Sequence, residues 1–177
     1  MRNIGVFMSG KDNLPDSFVS AANNVGTYLG KTGRTMVYGG ARKGLMEVMA
    51  KAVRKNGGKV FGVVPQLLSQ RGEESDEIDV TFNCVDLNDR KSIMMRESEA
   101  FIVMPGGIGT LDEMFCVLAS NAFGQSNKRV VLYDVDSCWM ELMEMLSELR
   151  HRGLIEGHIT GTMSIVSNID ELDKALS

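Results

Sequence analysis

Short, continuously apolar runs alternate along this chain with longer amphipathic stretches, and that alternation restricts the fold more than any other feature. The runs Ile4-Gly5-Val6-Phe7-Met8, Thr35-Met36-Val37-Tyr38 and Ala100-Phe101-Ile102-Val103-Met104 read as strands, as do residues 59–64, 80–85, 130–135 and 162–166. Between them, residues 16–31 carry Phe18, Ala21, Ala22, Val25 and Leu29 at helical spacing. Helices are also expected over 44–56, 87–98, 110 to about 123, 137–152 and 169–176, with Gly57-Gly58 as a natural stop for the second. Residues 66–79 are polar and acidic and read as a loop with some helix. Strands apolar on both faces belong to parallel sheets covered on both sides. Right-handed crossovers then give a doubly wound arrangement. The expectation is a single Rossmann-like α/β domain over residues 1–177, with a mainly parallel sheet of about seven strands and helices on both faces.

Composition narrows the function classes. The formal net charge is −4 with no run of Lys and Arg, so the basic footprint that duplex nucleic acid requires is missing. No stretch approaches the roughly 20 apolar residues of a membrane span, and the N-terminus lacks the pattern of a secretory leader. Three cysteines, Cys84, Cys116 and Cys138, form no CxxC spacing and read as free thiols in a reducing compartment, with the cytoplasm as the simplest address. Cys116 reads as core packing. His151 and His158 have no metal-ligand spacing to a cysteine or carboxylate and read as surface residues, so no metal is expected.

Ligands of doubly wound sheets bind beyond the carboxyl ends of the strands, where the strand order reverses. Three glycine-bearing turns fall at such ends: Ser9-Gly10, Gly39-Gly40 and Gly106-Gly107-Ile108-Gly109. The third opens a helix, whose unpaired N–H groups and positive dipole end suit a phosphate. Two readings compete for the segment from Pro105 to Glu113. Gly106, Gly107, Ile108 and Gly109 with the Thr110 hydroxyl can form an anion seat. Thr110 and Glu113 also match a capping box, with Thr110 as the cap and Glu113 three residues on. Arg90 is either a solvated helix charge or a bidentate phosphate ligand. Glu73 and Glu74 read as a solvated loop or a cover over the pocket.

The run Pro105-Gly106-Gly107-Ile108-Gly109-Thr110-Leu111-Asp112-Glu113 resembles the Pro-Gly-Gly-x-Gly-Thr-x-x-Glu signature of the LOG family. Its members are cytokinin riboside 5′-monophosphate phosphoribohydrolases, often labelled lysine decarboxylases. Two further motifs occur in the order the family has them. One is the Arg-Lys pair, here Arg90-Lys91. The other is the run Tyr38-Gly39-Gly40-Ala41-Arg42-Lys43-Gly44-Leu45-Met46-Glu47. Ala41 and Glu47 stand where the family has glycines, and Arg42 where it has a small residue. The family's opening Gly-Ser-Ser turn is Met8-Ser9-Gly10-Lys11 here. The threonine that the family places near the nucleobase aligns with Leu118.

The resemblance implies a small-molecule nucleotide substrate, AMP or a cytokinin riboside monophosphate, cleaved at its N-glycosidic bond to free base and ribose 5-phosphate without a cofactor. It implies Arg90 and Glu113 as the catalytic pair. Ser9, Gly39, Gly40, Lys91, Gly106, Gly107, Ile108, Gly109 and Thr110 then join Arg90 in holding the nucleotide. It also implies a homodimer, in which Met114, Phe115 and Leu118 face either the partner or the core. Molybdenum cofactor carrier proteins share a similar glycine-rich turn, so a non-catalytic carrier is the competing reading. Pyridoxal phosphate chemistry lacks an identifiable Schiff-base lysine, and the first turn lacks the GxGxxG of a dinucleotide site.

Overall fold

The computed structural model describes residues 1–157 and 161–177. His158 therefore lies outside the described residues. Seven strands form one parallel sheet: β1 (Asn3–Phe7), β2 (Thr35–Tyr38), β3 (Lys59–Pro65), β4 (Val80–Cys84), β5 (Ala100–Val103), β6 (Arg129–Tyr133) and β7 (Met163–Val166). Their order is β4-β3-β2-β1-β5-β6-β7, and each neighbouring pair is parallel. The chain winds outward from β1 in one direction and, after returning to β5, in the other. The reversal falls between β1 and β5, whose register pairs Ile4 with Ala100 and Phe7 with Val103.

Two apolar layers explain why these strands read as continuous runs. Ile4, Val6 and Met8 of the first run, with Ala100, Ile102 and Met104 of the fifth, pack on one side. Helices α1 (Asp16–Lys31) and α2 (Gly44–Lys55) cover that side, with the closing helix α7 (Ile169–Ala175). Phe7, Phe101 and Val103 point to the other side, against α4 (Leu87–Glu97), α5 (Ile108–Ala122) and α6 (Met140–His151). Gly5 sits where a side chain would strike the Phe101 ring. That opening lets Phe101 stack on Phe7 with ring centroids 4.9 Å apart. A short helix α3 (Gln66–Gln70) opens the acidic segment. No described helix is long and apolar enough to cross a membrane.

The largest boundary difference is at α6, expected from residue 137 and beginning at Met140. Asp136 and Ser137 have φ of 54° and 60°, left-handed conformations that cannot start a right-handed helix. The Asp134 carboxylate instead accepts the Trp139 amide at 2.9 Å and sets the later start.

Candidate functional site

Two helix starts and two turns converge at the β1–β5 reversal. After β1 the chain turns through Ser9. The Ser9 amide donates to the Pro105 carbonyl (3.1 Å), and the Ser9 carbonyl accepts the Leu45 amide (3.1 Å). The first turn is thereby tied both to the glycine run after β5 and to the start of α2. The Asp12 carboxylate accepts the Gly44 amide at 3.0 Å, which closes the junction.

The turn after β5 does not end in a capping box. The cap residue of α5 is Gly107, with no side-chain cap, and the helix starts at Ile108, two residues before the expected start. The first backbone closure is Leu111 N–H to the Gly107 carbonyl (3.0 Å). The Ile108, Gly109 and Thr110 amides precede that bond and have no intrahelical acceptor. Thr110 is not the cap. It is buried, and its side chain fills the space that a side chain on Gly106 would need. A side chain on Gly107 or Gly109 would meet nothing within 4 Å, so the surface over these amides is open. Glu113, as the sixth residue of α5, lies too far into the helix to serve as the reciprocal carboxylate of a box.

Arg90 belongs to the first turn of α4. The Asp86 carboxylate caps that helix by accepting the Asn88 and Asp89 amides (2.8 and 2.9 Å), while Asp89 accepts the Val85 amide (3.0 Å). This fixed start carries the Arg90 guanidinium over Gly39, where any Cβ would collide with Nη2. From there Arg90 Nη2 lies 3.3 Å from Glu113 Oε1, the two side chains being 15% and 12% exposed. Burial pushes the Glu113 carboxyl above the ordinary carboxylate range, and the Arg90 charge works against that rise. Arg90 Nε is buried without a partner among the described residues.

Arg90 and Glu113 line one cleft of about 500 Å³ with Met8, Ser9, Gly10, Lys11, Met46, Gly107, Ile108, Gly109 and Thr110. Polar donors gather around the start of α5, and Met8, Met46 and Ile108 supply an apolar wall. Ile108 is 84% exposed at the rim.

The remaining expected residues fall outside this lining. Gly39 underlies Arg90. Gly40, with φ 76°, packs on Val64, and its carbonyl accepts the Ser75 amide. Gly106 makes room for Thr110. Lys91 turns to Asp112, with Nζ 2.8 and 3.0 Å from the two carboxylate oxygens. Arg42 reaches the Glu74 carbonyl (2.9 Å) and Asp76 (2.7 Å). Glu73 pairs with Lys43, and Glu74 accepts from Ser69 and Thr81, so the acidic segment is bound to the turn after β2. Glu47 accepts the Ser75 hydroxyl at 2.6 Å. Leu118 lines a separate apolar pocket with Phe115, Ala119, Ala122, Leu146, Ile155 and Met163. Met114 is wholly buried. Lys11, Met8 and Met46 had no assigned role from the sequence, and Gly10 had only its place in the first glycine-bearing turn. Their signal was position alone, at the carboxyl end of β1 and the start of α2.

A family model described as possible lysine decarboxylase matches residues 46–176. The probable cytokinin riboside 5′-monophosphate phosphoribohydrolase LOG4 of Oryza sativa subsp. japonica is 31% identical over 172 residues, which is 97% of this chain and 75% of that protein. The cytokinin riboside 5′-monophosphate phosphoribohydrolase of Mycobacterium marinum is 30% identical over 171 residues, 95% of this chain and 89% of that protein. Among solved structures, the molybdenum cofactor carrier protein from Chlamydomonas reinhardtii superposes with a TM-score of 0.74 at 21% identity, covering 99% of this chain and 98% of that one. That likeness extends to the fold.

Proposed function

The chain belongs to the LOG family, and from that membership we propose that it hydrolyses the N-glycosidic bond of a nucleoside 5′-monophosphate, AMP or a cytokinin riboside monophosphate. The observation that carries this reading is the buried Glu113 carboxylate, held 3.3 Å from Arg90 in a cleft that opens onto the free amides of α5. Glycosidic cleavage develops positive charge at C1′. A carboxylate beside that carbon stabilises the charge and accepts a proton from the attacking water. The water oxygen bonds to C1′, the C1′–N bond breaks, its electron pair leaves with the base, and the proton taken up by Glu113 passes to the base nitrogen directly or through water. Arg90 orients the nucleotide, and its charge keeps Glu113 available as a base. The Ile108, Gly109 and Thr110 amides seat the 5′-phosphate, and that remote anchor positions the sugar for attack. The test is release of adenine from AMP by the purified protein. A protein that leaves AMP intact, and leaves N6-substituted AMPs intact too, refutes the reading.

The family departures weigh little against hydrolysis. Arg42, Glu47 and Leu118 are engaged outside the cleft lining, so they do not favour a carrier over a catalyst. The unpaired cysteines agree with a cytoplasmic protein. A homodimer is supported by the apolar pocket around Leu118, which adjoins Phe115 and the 81% exposed Phe123 on the same stretch of chain. Light scattering is expected to give twice the 19.4 kDa chain mass, and Phe123→Glu is expected to shift it toward one.

The pH profile tests the pairing. Glu113 acts ionised, so activity rises with pH through its raised pKa, and the acid limb lies above the ordinary carboxylate range. Arg90 opposes that rise. Arg90→Gln is therefore expected to move the acid limb to higher pH as well as slow the reaction, read from kcat/KM between pH 4 and 9. An unmoved limb would separate Arg90 from the ionisation of Glu113.

A further inference from the structure

Two basic side chains line the cleft, and among the described residues only one of them has a counter-ion. Arg90 faces Glu113. Around the same edge, Arg42 faces Asp76, Lys43 faces Glu73 and Lys91 faces Asp112. The Lys11 ammonium has no ion-pair partner among the described residues, yet Lys11 lines the cleft with Gly107, Ile108, Gly109 and Thr110. We propose that Lys11 is the cation that meets the substrate phosphate opposite the start of α5, and so the residue by which this cleft prefers a nucleotide to its nucleoside. The assignment rests on the hydrolase reading for the substrate, and it adds a specificity residue that the family motifs do not contain.

The backbone at Lys11 is fixed from three directions. Its amide donates to Ser9 Oγ at 3.1 Å. Gly44, with φ 55°, lies so close to the Lys11 carbonyl and Gly10 that no side chain fits between them. Asp12 is committed to the Gly44 amide and holds the turn against α2. The lysine stem therefore starts from a rigid point over the cleft while its end remains free to swing.

Charge balance gives that free end its role. Arg90 and Glu113 cancel one another to first order. The start of α5 contributes roughly half a positive charge. A phosphate monoester brings about −1.5 to −2 at neutral pH. Without another cation, the bound nucleotide would leave uncompensated negative charge beside a buried carboxylate. Lys11 supplies the missing positive charge, and lysine suits a phosphate as a compact point charge on a flexible stem. Lys91, the lysine expected for this role from sequence, is already occupied by Asp112.

Calorimetric titration of the full chain with AMP and with adenosine, on wild type, Lys11→Gln and Lys11→Arg, tests the assignment. Loss of one charge-assisted contact is expected to weaken AMP binding by about ten- to thirtyfold in Lys11→Gln. Adenosine binding should be unchanged and Lys11→Arg should recover most of the loss. In turnover, KM for AMP should rise with kcat within about twofold. Equal weakening of AMP and adenosine would make Lys11 a structural residue and overturn the proposal. AMP bound and cleaved by Lys11→Gln at the wild-type KM overturns Lys11 alone. Wild-type protein that neither binds nor cleaves AMP or an N6-substituted AMP overturns the hydrolase reading and this assignment together.

Discussion

Replacing Glu113 by Gln is expected to lower base release from AMP by about 10³-fold while leaving AMP affinity within a few-fold of wild type. General acid–base assistance contributes about 10²–10⁴-fold in enzymes generally, and electrostatic stabilisation of the developing charge adds to it. Gln keeps the shape and a hydrogen-bond acceptor but has neither a negative charge nor a basic oxygen. The phosphate seat is built from α5 amides and does not use the Glu113 side chain, so binding should survive. Pre-steady-state turnover with a direct binding measurement separates the two quantities. Activity retained within tenfold would remove Glu113 from the chemistry.

The same substitution has a stability signature with a determined sign. The folded-state pKa of Glu113 is raised mainly by burial. The folded protein therefore holds this proton to a higher pH than the unfolded chain does. Its contribution is fully present below the ordinary carboxylate pKa and is lost as pH rises through the raised value. Thermal unfolding midpoints should fall with pH across that window in wild type and fall less in Glu113→Gln. Parallel curves would show that the carboxyl is not held as the geometry indicates.

The central strands were legible because each carries two apolar faces. Alternate residues of β1 and β5 fill the layer under α1 and α2 and the layer under α4 and α5, which leaves no polar face to confuse the pattern. The glycine run after β5 was legible as a site because it combines a strand end, absent side chains and a helix start. Where α5 begins was not legible. Thr110 and Glu113 satisfy a capping pattern locally, but the Thr110 side chain is buried in the gap left by Gly106 and the helix starts under Gly107. The partners of charged side chains were also hidden. Lys91 is 21 residues from Asp112, and Arg42 is 34 from Asp76, so only the folded topology brings them together. Lys11 was passed over for the converse reason: its importance lies in having no ion-pair partner among the described residues, which no local pattern displays.

Gly39→Ala is expected to cost about 10²-fold in kcat/KM with little loss of overall stability. Gly39 follows β2 and does not line the cleft, so a methyl group there touches no substrate directly. A Cβ on Gly39 would fall inside the contact distance of Arg90 Nη2, with Cζ and Nε close behind. Because Asp86 and Asp89 fix the start of α4, the helix cannot easily carry Arg90 away as a unit, and the side chain must change rotamer. That movement breaks the 3.3 Å approach to Glu113. Displacing a positioned group by about 1 Å is enough for a loss of this size. Glu113 then loses its nearest positive charge and titrates higher, so the acid limb should shift upward, in the same direction as in Arg90→Gln. The double variant Gly39→Ala/Arg90→Gln separates this cause from a general disturbance of the turn. If Gly39 acts through Arg90, adding the alanine to Arg90→Gln should cost almost nothing further. Additive losses in the double variant would mean that the glycine serves the cleft by some route other than the guanidinium it underlies.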